Sequence, residues 1–219
     1  MPISEVFNID CLEYMKGLPD KFFELAIVDP PYGIGVNKMN MGGRKTVKPT
    51  SKKWDNEPPP AEYFSELKRV SSNQIIWGAN HFIHLIPYAS PCWIFWDKGE
   101  TMYGRDFAEG ELAYTSFGKP LRRFKMSPNQ LERFHPTQKP VSLYKWMLEN
   151  YAKQGDKIFD SHMGSQSSRI AAYHMGFDYY GCELDKEYFD AGNKRFEIEK
   201  TKQELFKPEQ PTIDQNALF

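Results

Sequence analysis

A carboxylate, two prolines and an aromatic ring stand together in Val28-Asp29-Pro30-Pro31-Tyr32-Gly33, directly after the apolar run Leu25-Ala26-Ile27-Val28. The run reads as a buried parallel strand, and the prolines stop it from continuing as strand or helix. A rigid corner must follow. It leaves Asp29, a proline carbonyl without a competing N–H donor, and the Tyr32 ring at the strand's carboxyl end, where open α/β sheets bind ligands. This chemistry suits a flat amine, because the Asp29 carboxylate and the Pro30 carbonyl can both accept hydrogen bonds from one exocyclic NH2 while Tyr32 stacks on its ring.

A second constellation lies far downstream. His135-Pro136-Thr137-Gln138-Lys139-Pro140 precedes a helix with Val141, Tyr144, Met147, Leu148 and Tyr151 inward. Then come a strand Lys157–Asp160, a turn Ser161-His162-Met163-Gly164-Ser165-Gln166, a helix Ser167–Met175, and a strand Tyr179–Cys182 ending in Glu183. This β-turn-α-β unit has a small polar turn, and an acid one strand later that can accept both hydroxyls of a ribose.

Taken in this order, Asp-Pro-Pro-Tyr, His-Pro-Thr-Gln-Lys-Pro and the Asp160–Glu183 unit resemble the amino-methylating DNA methyltransferases, in the permuted branch that places the catalytic corner before the cofactor unit. The resemblance runs from about Val6 to Phe196. It implies methyl transfer from S-adenosylmethionine to N6 of adenine or N4 of cytosine in DNA, in an enzyme of phage or restriction-modification type. Asp29, Pro30 and Tyr32 become the catalytic residues. The cofactor residues become Asp10, Thr137, Lys139, Asp160, Gly164, Ser165, Gln166 and Glu183, with Thr137–Pro140 a strap over the methionine end. The implied fold is a single-domain, Rossmann-like α/β methyltransferase with a mostly parallel seven-stranded sheet, one antiparallel strand, and helices on both faces. Adenine is expected over cytosine because the corner begins with Asp rather than Ser; the N4-cytosine enzyme is the alternative.

Two departures stand out. Ser161 and His162 replace the family's Pro-Phe, and Gln166 replaces its second glycine. Gln166 either crowds the cofactor or donates to it, and a blocked site would leave a catalytically silent DNA-binding module. His162 reads as a turn histidine, since the reaction needs no strong base. Cys92 opens an apolar strand and reads as core rather than as a nucleophile.

The elements that position these groups follow from local pattern. Val6–Ile9 reads as a strand and Asp10 as the N-cap of a helix ending at Gly17. A helix carries Tyr63, Phe64, Leu67 and Val70 inward, and strands follow at Gln74–Trp77, Cys92–Trp96 and Glu111–Phe117, the last suited to an edge or an antiparallel pair.

With 219 residues the chain supports one domain, expected over 1–206, with a tail at 207–219. Three cysteines show no paired or metal-binding spacing, so no metal is expected and a cytoplasmic setting, in a bacterial or phage-infected cell, is favoured. No run reaches membrane-spanning length. A formal net charge of −1 leaves DNA binding to the placement of cations. A basic loop at 37–57 with Lys38, Arg44 and Lys45, and a cluster with Arg122 and Arg123, are the expected DNA contacts. The segment 99–133 is too short for a separate recognition domain. In the tail, Leu218 and Phe219 are expected to fold back onto the domain or a homodimer partner; the rival is docking to the bacterial sliding clamp, whose short motif Gln-x-x-Leu-Phe resembles.

Overall fold

A computed structural model describes residues 2–35, 55–86, 88–104, 108–128 and 133–205; the Lys38, Arg44 and Lys45 contacts and the 207–219 tail lie outside the described residues. Its elements are β1 (Ser4–Phe7), α1 (Cys11–Lys16), β2 (Phe23–Val28), α2 (Ala61–Val70), β3 (Ser71–Trp77), β4 (Trp93–Asp97), β5 (Gly110–Thr115), β6 (Arg122–Lys125), α3 (Val141–Tyr151), β7 (Lys157–Asp160), α4 (Ser167–Met175), β8 (Asp178–Cys182) and α5 (Lys186–Leu205).

The strands form one sheet in the order β1-β8-β7-β2-β3-β5-β4-β6. Neighbours pair in parallel except β5, which runs antiparallel to both β3 and β4. Central β2 is apolar on both faces, as a strand covered twice must be. Its Leu25 and Ile27 join Ile75, Ile94 and Ile158 under Leu143 and Met147 of α3 and Ala171 and Ala172 of α4. Its Ala26 and Val28 face the other way, with Ile76 and Phe159, under Met15 of α1 and Tyr63, Phe64 and Leu67 of α2. Each fully buried side chain of this size contributes roughly 1.5–3 kcal/mol relative to exposure.

The Rossmann-like α/β architecture and the single antiparallel strand are as the sequence predicts. Among the described residues the sheet has eight strands rather than seven. The additional one is β6, which the sequence presents only as a basic cluster. Of its residues only Phe124 is partly buried, and its ring meets Trp146 of α3 at 5.4 Å. One anchoring aromatic on a four-residue edge strand leaves little apolar periodicity to read.

Candidate active site at the carboxyl edge of the sheet

All the parallel strands end at one edge, which places Asp29 after β2, Asp97 and Asp160 at the ends of β4 and β7, and Glu183 after β8. The antiparallel β5 begins there instead, so its second residue, Glu111, arrives at the same edge. A cavity of about 650 Å³ opens on this edge. Asp10, Asp29, Thr137, Lys139, Gly164, Ser165 and Glu183 line it, which brings residues from both sequence constellations to one space.

The corner is tightly held. Asp55 Oδ1 accepts from the backbone N–H groups of Tyr32 and Gly33 at 2.7 and 3.0 Å. Tyr32 donates its hydroxyl to Asp29 Oδ1 at 2.6 Å, and its ring stacks on exposed His81 with centroids 5.2 Å apart. Gly78 makes room for that ring: its φ is 68°, and a Cβ there would fall 2.1 Å from Tyr32 Cε1. Lys139 Nζ lies 2.6 Å from Asp29 Oδ2. Burial pushes the Asp29 carboxyl up, against the pull of the Lys139 charge.

The turn after β7 is built by its neighbours. Gly164 donates its backbone N–H to Glu183 Oε2 at 2.8 Å, while Asp185 donates to Oε1 at 2.9 Å. Gly164 has φ 48°, and a Cβ on it would press to 3.3 Å from the His135 ring. The His135 ring in turn packs on Tyr188 at 4.3 Å, so the segment before α3 lies over the turn. Asp10 caps α1 through Oδ1, accepting from Leu12 and Glu13 at 2.8 and 3.1 Å, and lines the cavity as well.

Several residues sit otherwise than the sequence suggests. Gln166 is a correction: it does not reach the cavity, neither obstructing it nor presenting a donor. It adopts φ 58° at the start of α4 and turns its fully buried side chain toward α5. There Oε1 accepts from Arg169 Nη1 at 2.9 Å and Nε2 donates to Asn193 Oδ1 at 3.1 Å. Asp160 stands behind the turn, accepting from Ser168 Oγ at 2.5 Å and from the His162 backbone N–H at 3.0 Å. Burial raises its carboxyl to about 7.

His162 stands in the turn and lines the cavity, its ring held by side chains rather than by backbone. Its Nδ1 pairs with Ser161 Oγ at 2.8 Å, Ser161 Oγ lies 2.6 Å from Tyr63 Oη, and burial lowers the imidazole to about 4. Cys92 is buried core. Arg122 and Arg123 do not form one patch, because strand alternation sends them to opposite faces of β6. Arg123 reaches toward Asp97 at 3.9 Å, whereas Arg122 shares the face of Phe124, which packs on α3.

His81, His135, Tyr188 and Glu111 are the site residues that sequence reasoning missed. His135 carried a signal, since it opens the Thr137–Pro140 strap. The others come from elements with no local motif. Among the described residues no cluster of His, Cys, Asp or Glu fits a metal ion, and no helix is long and apolar enough to cross a membrane.

A family model described as a DNA methylase of the N6/N4 class matches residues 92–194. YubD of Escherichia coli (strain K12) is 25% identical over 88% of this chain and 90% of its own length. The Type II methyltransferase M.HinfI of Haemophilus influenzae is 22% identical over 88% of this chain and 68% of its own. Among solved structures, the M1.HpyAVI–SAM complex superposes with a TM-score of 0.61 at 20% identity, covering 87% of this chain and 98% of that one. The cytosine-N4-specific PvuII DNA methyltransferase gives the same TM-score, 0.61, at 12% identity over 91% and 92%. At such identities the structural likeness speaks to the fold. In the matched segment and along most of its length the chain is similar to the amino-methylating DNA methyltransferases.

Proposed function

We propose that this protein transfers a methyl group from S-adenosylmethionine to the exocyclic N6 of adenine in DNA. The observation that carries the reading is the meeting of the Asp29 corner with the Gly164–Glu183 turn in one cavity. The cavity fits the cofactor on its own terms: a carboxylate at Glu183, a backbone turn closed against His135 at Gly164, and Asp10 on the same wall. Asp10, Thr137, Gly164, Ser165 and Glu183 would hold it. When bound, it supplies an electrophilic methyl group on a sulfonium.

In a duplex the target amine is paired and stacked, so the base must rotate out, at a cost of about a few kcal/mol. Stacking on Tyr32 returns roughly 1–3 kcal/mol, with exposed His81 moving from the ring to admit the base. The amino lone pair is delocalised into the ring and poorly nucleophilic. Asp29 and the Pro30 carbonyl hold the two N–H groups in tetrahedral directions and free that pair for attack. The proton then leaves a cationic nitrogen, and Asp29 or water takes it.

Adenine is favoured by the Asp that opens the corner. The silent-module alternative loses its ground, because Gln166 faces α5 rather than the cavity. Arg123, whose guanidinium reaches toward Asp97 at the end of β4, and Lys38, Arg44 and Lys45, which follow the corner in sequence, are the proposed phosphate contacts. Incubation with isotopically labelled cofactor and DNA, followed by nucleoside analysis, tests the reading: methyl-adenine supports it, methyl-cytosine replaces the base, and no product in any DNA rejects it.

A further inference from the structure

Beside the cavity, four charges of alternating sign follow one another along the sheet edge. Lys139 Nζ sits 2.6 Å from Asp29 Oδ2 and 3.0 Å from Glu111 Oε2, and Lys98 Nζ sits 2.8 Å from Glu111 Oε1. The Lys139 side chain is 2% exposed and that of Glu111 23%. Lys139 also lies 3.2 Å from Tyr32 Oη and 5.3 Å from the Trp77 ring centroid. The family resemblance gives Glu111 and Lys98 no role, and it assigns Lys139 to the cofactor rather than to Asp29.

Both Asp29 oxygens are engaged, Oδ1 by the Tyr32 hydroxyl and Oδ2 by Lys139. A carboxylate oxygen has room for a second donor, but an ammonium bond is stronger than any an uncharged amine can make. An incoming amine therefore competes with Lys139 for Asp29. An ammonium displaced without a partner would be a buried unpaired charge, which is strongly unfavourable. Glu111 stands where it removes that penalty.

We propose that Glu111 is a positioning residue for methyl transfer: it holds Lys139 beside Asp29 and takes over its ammonium when the exocyclic amine hydrogen-bonds to Asp29. Lys98 holds Glu111 in place for the exchange. No covalent bond changes in this step; one set of hydrogen bonds replaces another. The inference rests on the methyltransferase reading given above.

The groups facing Asp29 are Lys139, Tyr32 and Glu111, with Tyr144 and Asp160 farther off; Glu111 faces Lys139, Lys98, the Tyr32 hydroxyl at 3.4 Å and Arg133, with Tyr144 farther off. Burial is the largest influence on the Asp29 carboxyl and raises it, Lys139 lowers it and Glu111 raises it. At Glu111 burial acts upward, but the two lysines together bring the group to about 2. Lys139 keeps its proton, since its two carboxylates outweigh burial.

The test is the pH profile of kcat/KM for DNA methylation by the wild type, Glu111→Gln, Glu111→Asp, Lys98→Gln and Lys139→Met. Glu111→Gln should reduce kcat/KM about tenfold or more, chiefly through KM for DNA, because Lys139 then loses the second of its two carboxylates. Its acid limb should move to lower pH, whereas Lys139→Met and Lys98→Gln should move theirs to higher pH. Glu111→Asp should restore most of the activity, and the cofactor affinity of Glu111→Gln should match the wild type by calorimetry. A purely structural role would not move the limbs in opposite directions. If the wild type transfers methyl and the limbs stay fixed or move together, the exchange is wrong while the enzyme reading stands. If the wild type transfers nothing, both are overturned. Should Glu111→Gln not fold, the direction of the Lys98→Gln limb decides: an upward shift supports the exchange and no shift rejects it.

Discussion

Gln166 fills the space that Gly192 leaves open across the α4–α5 contact: a Cβ on Gly192 would stand 2.7 Å from Gln166 Cγ and Nε2. The left-handed backbone of Gln166 costs about 1–2 kcal/mol, which the buried bonds to Arg169 and Asn193 offset. Gly192→Ala should therefore lower stability by about 1–3 kcal/mol in denaturant unfolding through overpacking. Gln166→Gly relieves the backbone but removes one of the acceptors of Arg169, whose bonds to Asn193 and Ser4 remain, so a net loss of about 1 kcal/mol is expected. S-adenosylmethionine affinity by calorimetry should change less than about twofold in Gln166→Gly, since the side chain faces away from the cavity; a larger change would return Gln166 to the cofactor.

Asp29→Ala should abolish methyl transfer with the fold intact by circular dichroism, because no other carboxylate of the corner replaces its acceptor oxygens. Tyr32→Phe keeps the ring and loses the hydroxyl, with its bond to Asp29 and its contacts to Lys139 Nζ and Glu111 Oε2. Its kcat should fall less than that of Tyr32→Ala, which also loses a stacking contact worth about 1–3 kcal/mol. Asp29→Ala activity within tenfold of the wild type would sink the proposed acceptor geometry.

Gly78→Ala places a methyl group 2.1 Å from the Tyr32 ring at a φ of 68°. Both strain and clash fall on the corner, so stability should drop by about 2 kcal/mol or more. Methyl transfer should fall further than this loss explains, because the ring is displaced; unaltered kcat in the folded fraction would argue against a role for the ring.

Asp160 and His162 act oppositely on stability with pH. Burial raises Asp160 in the folded state to about 7 from 3.8, so its contribution is full below the unfolded value and is lost as pH rises toward 7. Burial lowers His162 to about 4 from 6.5, so its contribution is full above the unfolded value and is lost as pH falls toward 4. In the wild type the two slopes offset between those limits. Asp160→Asn should make the melting temperature rise with pH across that window, and His162→Phe should make it fall. Parallel curves for wild type and both variants would show that neither group titrates as placed.

Much of this site was written in local covalent and steric constraints, and those were legible. Asp29-Pro30-Pro31 ends β2 because proline cannot extend it, Asp10 caps α1 through its own oxygen, and the glycine turn after Asp160 opens α4. The buried parallel strand before the corner followed from an apolar run at strand length, whereas the helices on both faces came with the family resemblance. The basic strand β6 followed from neither, because its place depends on pairing with β4 rather than on its own pattern.

What only the tertiary structure decided is which distant partner each polar side chain takes. Gln166 could not be read as facing α5 until Gly192 and Asn193 were beside it, and the Arg122–Arg123 pair was split only once β6 joined the sheet. Lys139 and Asp29 lie 110 positions apart, and no local rule links them. Their ion pair exists because β2 delivers a carboxylate, the strap before α3 a cation and antiparallel β5 a second carboxylate to one largely buried edge. There a buried charge is tolerated only with its partners in reach, a condition set by strand order and direction rather than by any stretch of sequence.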